Sequence, residues 1–303
     1  MQIKEIIHIN DFEKVNCVFH YTSPEGLYSI LKNRTFRFTD CQFFNDKSEY
    51  VYVKRPLIKA IENILPKLKN ANLIECIDNW LKEDYEIWTN NDNPCKQRYY
   101  AFCTSLDNDS LNMWNYYIKN DKYQGYNIGL SIVDIIEDVK KMGFNDGEMW
   151  FGPVLYSSYE QEKIIFDLIR KTDYRLKEIR SEVSYTDYWY SFLQEAQEEI
   201  IETIELYRLF FKDSAFKDEK EYRFVLKLPV DMKDSSVITS GYQIKEGILS
   251  PYFELKFDDK VLECITVSPM IESDLAKKGI ELFLSHNNYK SIDFNRSNIP
   301  IRY

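Results

Sequence analysis

The sequence predicts an α+β fold, a mixed and largely antiparallel sheet interrupted by helical insertions. Three observations lead there. Short apolar runs that read as strands recur at 15–19, 35–39, 99–105, 248–257 and 262–267, with a two-residue alternation at 35–39. Two stretches, about 50–90 and 159–212, instead carry apolar residues at helical spacing. Glycine and proline are scarce, nine of each in 303 residues, which leaves little for linkers. The expectation is a single domain over 1–303 with the two helical stretches inserted in it.

The apolar run at 15–19 reads as a strand ending at His20, one of only three histidines. A helix follows: Ser23 suits the N-cap, Pro24 the first helical position, and Leu27, Ile30 and Leu31 fall at helical spacing. At 35–39, Phe36 and Phe38 alternate with Arg37 and Thr39, which reads as a half-buried strand. Asn45 or Asp46 is expected to cap the next helix, and Asp46 with Glu49 has capping-box spacing. Leu57, Ile58, Ile61, Ile64, Leu65 and Leu68 mark one helical stripe; Asn90-Asn91-Asp92-Asn93-Pro94 is a loop.

A strand over 99–105 turns at Asp107-Asn108-Asp109-Ser110 into a short helix. Leu111, Trp114 and one of Tyr116 and Tyr117 are expected to face inward. Residues 126–132 and 153–156 are further strands. Two helices fill 159–212, where Glu195, Glu198, Glu199 and Glu202 form a solvated face. The chain re-enters the sheet near Glu221-Tyr222-Arg223. Strands at 248–257 and 262–267, a helix at 275–284 and a short strand at 291–294 complete it.

Composition narrows the function. The chain is 44% hydrophobic and 16% aromatic, enough for a substantial core. Its net charge of −10 disfavours non-specific binding of nucleic acid. The cysteines at 17, 41, 76, 95, 103 and 264 form no C-x-x-C, and neither His8 nor His286 lies near a cysteine pair. No metal site is expected, and the thiols read as reduced, as in a cytoplasmic protein. No apolar run approaches the roughly 18 residues of a membrane span, and no long apolar leader follows Met1, so no membrane partner is expected.

His20 is the first candidate site residue, because backbone donors are exposed where a strand gives way to a helix. The competing reading is a buried histidine bonded to a carbonyl. Asp46, Glu49, Glu219 and Glu221 would serve a metal-dependent phosphodiesterase only if they converged around two metal ions. Glu221 and Arg223 equally read as an ion pair on one sheet face, since residues two apart point the same way.

Several short motifs, taken in order, resemble an uncharacterised bacterial family, number 2971 in the domain-of-unknown-function series. They are His20-Tyr21-Thr22-Ser23 with Gly26-Leu27; Phe44-Asn45-Asp46 with Glu49; the stretch 102–105; Met113-Trp114 with Tyr117 and Gly125; Glu219 and Glu221-Tyr222-Arg223; Pro251-Tyr252; Ser268-Pro269; and Ser297 with Pro300 and Arg302. The family often has Gly-Pro where this chain has Ser268-Pro269, and Trp where it has Ala215-Phe216.

More distantly, the His20 stretch resembles His-Tyr-Glu type ADP-ribosyltransferases, in which a first strand also ends in His before a Leu-x-x-Ile-Leu helix. That likeness implies an ADP-ribosyltransferase-like fold with NAD as cofactor. His20 and Thr22 would contact NAD, Tyr117 or Tyr116 would stack on nicotinamide, and Glu221 would orient the reactive ribose. Arg34, Arg37 or Arg223 would meet the pyrophosphate. The chemistry is coherent: cleaving the nicotinamide–ribose bond builds positive charge that a fixed carboxylate stabilises. It also implies an unidentified protein or nucleic-acid acceptor, and a toxin or phage-defence role. The alternative is a non-catalytic sensor or partner-binding module on the same scaffold, supported by the aromatic content.

Overall fold

A computed structural model describes residues 2–5, 15–44, 52–68, 73–75, 97–118, 124–141, 148–182, 186–245 and 247–300. The strands are β1 (Gln2–Glu5), β2 (Cys17–Thr22), β3 (Thr35–Asp40), β4 (Gln97–Ser105), β5 (Tyr126–Ser131), β6 (Glu148–Pro153), β7 (Glu221–Pro229), β8 (Ile238–Lys245), β9 (Ile248–Lys256), β10 (Leu262–Val267) and β11 (Asp293–Arg296). The helices are α1 (Pro24–Asn33), α2 (Lys54–Ile64), α3 (Leu111–Ile118), α4 (Ile132–Lys141), α5 (Ser158–Glu182), α6 (Thr186–Arg208) and α7 (Ser273–His286). The chain divides into two compact units: 1–43, 96–154 and 216–303, whose described elements include the sheet, and 44–95 with 155–215, whose described elements are mainly helices.

The sheet is mixed and mostly antiparallel, as the succession of short apolar runs predicts. Its main path runs β1-β6-β7-β4-β2-β5-β10-β11, with only β1–β6 and β10–β11 parallel along it. It forks at β4. Strand β2 uses the far end of that edge, where Phe19 pairs with Ser105. Strand β3 uses the near end, where Thr39 pairs with Ala101 and Asp40 with Tyr100, and leads away to β9 and β8. Helix α1 links the two prongs. Its start is as expected: the Ser23 hydroxyl accepts from the Gly26 N–H at 3.1 Å, with Pro24 at the first position. Arg34 ends it in the left-handed region (φ 54°), and its N–H donates to the Ile30 carbonyl.

One sheet face carries Val18, Phe102, Ile128, Leu130, Tyr222 and Phe224. It closes a core with Leu27 and Leu31 of α1, Ile135 and Val139 of α4, and Ile280 and Leu284 of α7. The opposite face carries Tyr21, which packs with Met113, Trp114 and Ile118 of α3. The helical unit has its own core, in which Leu57 and Ile64 of α2 join Ile165 and Ile169 of α5 and Leu193, Ile200 and Ile204 of α6. Glu195, Glu198, Glu199 and Glu202 are exposed, as the charge pattern implies.

Several elements differ from the sequence reading. In α3 the inward residues are Met113, Trp114 and Ile118; Leu111, Tyr116 and Tyr117 are exposed, because one turn at 3.6 residues cannot bury all of these positions. The strand expected at 153–156 lies earlier, as β6. Strands β1 and β8 and helix α4 were not anticipated. The Asn45, Asp46 and Glu49 cap and the loop at 90–94 lie outside the described residues.

Candidate functional site

His20 sits at the fork. Its Nδ1 lies 3.1 Å from the carbonyl oxygen of Cys103, on the edge of β4 between the positions taken by β2 and β3. A carbonyl can only accept, so Nδ1 carries the proton and Nε2 is left as an acceptor. Among the described residues Nε2 has no partner. Burial pulls the imidazole from its ordinary 6.5 down to about 4, with the Cys103 bond opposing that fall only in part. The ring is therefore neutral near pH 7. It stands 4.8 Å from the Phe102 ring, which limits its rotation.

Glu221 is elsewhere. Ser105 pairs with both Phe19 and Glu221, so those three side chains share one face, and His20, next along from Phe19, points to the other. The single cleft expected from the sequence is not formed by His20 and Glu221. The carboxylate of Glu221 instead receives a two-pronged pair from Arg223, Nε to Oε1 and Nη2 to Oε2, each at 2.8 Å. Both are buried, 4% and 2% exposed, and the pair lies on one strand and one face, as the two-residue spacing allows.

The remaining expected contacts are dispersed. Tyr117 is 46% exposed on α3. Thr22 lies over the first turn of α1, its Oγ1 2.0 Å from where a Cβ on Gly26 would sit. The Arg34 guanidinium stacks 4.1 Å above the Tyr289 ring and donates to the Asn287 carbonyl at 3.0 Å. Arg37 lies over Tyr252 and binds Glu254 at 2.9 Å and Gln243 at 3.2 Å. All three arginines proposed for a pyrophosphate thus already hold partners within the fold.

The sequence reads residues 107–110 only as a turn and Ser105 only as the end of a strand; the structure makes residues 105–110 the junction of the motifs. The Tyr21 hydroxyl donates to the Asp107 carbonyl and accepts from the Ser110 N–H, both at 2.9 Å. Asp109 accepts from Trp114 Nε1 at 2.8 Å, Ser297 Oγ at 2.6 Å and the Asn298 N–H at 2.8 Å. Ser105 Oγ donates to the Glu219 carbonyl at 2.7 Å, and Lys220 pairs with Asp107 at 3.0 Å. Gly125 belongs to the same junction. A Cβ there would meet the Thr22 carbonyl at 2.8 Å and Ile118 at 2.4 Å, and Ser268 bonds its N–H at 3.2 Å. The available signal was the density of Asp, Asn and Ser in six residues, each able to bind backbone groups.

Fold and site together define the class: an α+β protein with a forked sheet, a neutral histidine at the fork and a buried ion pair behind it. Residues 113–224 match the model of a family described as protein of unknown function (DUF2971), so over that stretch the chain is similar to that family. The match runs from α3 into β7, so it takes in Trp114, Glu221 and Arg223 and stops short of His20. No curated protein and no solved structure matches the chain. Among the described residues, no helix is long and apolar enough to cross a membrane.

Proposed function

We propose that the sheet unit is a ligand-binding module that holds a hydroxyl-bearing small molecule at the fork, through His20. NAD is the first candidate, on the strength of the resemblance of the His20 stretch. The observation that carries this reading is the histidine itself: Nδ1 is fixed on Cys103, the ring is neutral, and Nε2 keeps an uncommitted lone pair. A ribose hydroxyl is a donor of the kind that acceptor takes. Glu221 has no part in this function. Its charge is spent on Arg223, on the other face, so the module binds or senses and does not transfer through that carboxylate.

Calorimetry with NAD tests the reading, using the unmodified protein and His20→Ala. One lost hydrogen bond should weaken binding about 3–10-fold. Nicotinamide release, followed in parallel, should be absent from the unmodified protein. Release that disappears in Glu221→Gln would instead establish the transferase reading, with its unidentified protein or nucleic-acid acceptor and its effector role. No heat with NAD would remove NAD as the ligand.

A further inference from the structure

We propose that Cys17 and Cys264 form a two-thiolate site for a soft monovalent metal ion of the copper(I) class. Cys17 on β2 and Cys264 on β10 flank β5. Phe19 pairs with Gly129, Gly129 pairs with Cys264, and Cys17 stands two residues from Phe19, so all of them share one face. Gly129 offers no side chain, and both sulfurs turn into that gap. A Cβ on Gly129 would lie 2.6 Å from Cys264 Sγ and 3.5 Å from Cys17 Sγ, which puts the sulfurs within about 6 Å of each other.

This spacing excludes the commoner fate of a thiol pair. Strands that flank a third have Cα atoms at least about 9.5 Å apart. A disulfide needs them within roughly 7 Å. One bridging atom fits instead, because two metal–sulfur bonds of about 2.3 Å span about 4.6 Å. Soft ions prefer thiolate ligands. Two thiolates complete the coordination of a monovalent ion, whereas zinc takes four ligands. Among the described residues no group of three His, Cys, Asp or Glu is placed to share a metal. The Phe19 ring, 3.4 Å from the same point, gives the gap an apolar wall.

Burial raises the Cys17 thiol to about 11 and raises Cys264 as well, so both start protonated. Binding breaks two S–H bonds, forms two S–Cu bonds and releases two protons to solvent, with copper staying in the +1 state throughout.

The test titrates reduced, anaerobic protein with copper(I) held by bicinchoninate. The unmodified chain is compared with Cys17→Ser, Cys264→Ser and Cys103→Ser, with melts to check folding. The expected result is one tightly held equivalent, lost in Cys17→Ser and in Cys264→Ser but kept in Cys103→Ser, with two sulfur neighbours by X-ray absorption. No equivalent in the unmodified chain, or one retained by both flanking variants, overturns the proposal. Should a serine variant fail to fold, alkylation of the unmodified protein decides. Copper(I) must protect Cys17 and Cys264 together, and protection of neither refutes the site.

Discussion

Acid should weaken the fold through His20 over a defined pH range. The imidazole titrates at about 4 in the folded protein against 6.5 when unperturbed, because burial disfavours its charged form. Between those values the unfolded chain binds the proton and the folded one does not. The contribution is therefore fully present above about pH 6.5 and lost as the pH falls toward 4. At about 1.4 kcal/mol per pH unit, the gap amounts to roughly 3 kcal/mol. The assay is urea unfolding at half-unit steps from pH 4 to 8, on the unmodified protein and on His20→Asn. Asparagine keeps a donor for the Cys103 carbonyl but cannot titrate. Carboxylates such as buried Asp40, whose pKa burial raises, move both proteins alike and cancel in the difference. The difference should rise by about 3 kcal/mol from pH 4 to 6.5 and then level off. A flat difference, or a His20 resonance titrating near 6.5, would refute the reasoning.

Other outcomes follow from the same geometry. Glu221→Gln breaks the buried pair with Arg223 and should cost about 3–5 kcal/mol in denaturant; a loss under about 1 kcal/mol would mean that the pair is solvated. Asp109→Ala removes the acceptor of three donors, so its loss and that of Trp114→Phe should not add; a double-mutant cycle should give a coupling of about 0.5–3 kcal/mol, and strict additivity would deny the junction. Gly125→Ala should destabilise by about 1–3 kcal/mol, since the Thr22 carbonyl in its way is backbone and cannot swing aside; a neutral melt would contradict that.

Much of the architecture is legible locally. Ser23-Pro24 fixes the start of α1, alternation marks β3, and the four exposed glutamates of α6 follow their charge pattern. What local pattern cannot give is the phase between strands about two hundred residues apart. Whether His20 and Glu221 share a cleft depends on a register running Phe19 to Ser105 to Glu221, and a shift of one residue would reverse the answer. The burial of Glu221 and Arg223 is hidden for a related reason, because charged residues at a strand start ordinarily read as exposed. Strand β8 escapes notice since Thr239, Ser240, Gly241 and Gln243 dilute its apolar alternation. The junction at Asp109 is legible as a turn but not as a hub, since Trp114 is nearby in sequence while Ser297 reaches it from the last strand's end.

The histidine itself offers the sharpest test of the binding reading. Protein labelled with ¹⁵N-histidine is titrated with NAD at pH 7 while the His20 ring nitrogens are followed. Nε2 should start as an unprotonated nitrogen and shift saturably upfield as it accepts a hydrogen bond, while Nδ1 stays protonated on Cys103 throughout. A His20 ring whose two nitrogens remain unchanged at saturating NAD would contradict it.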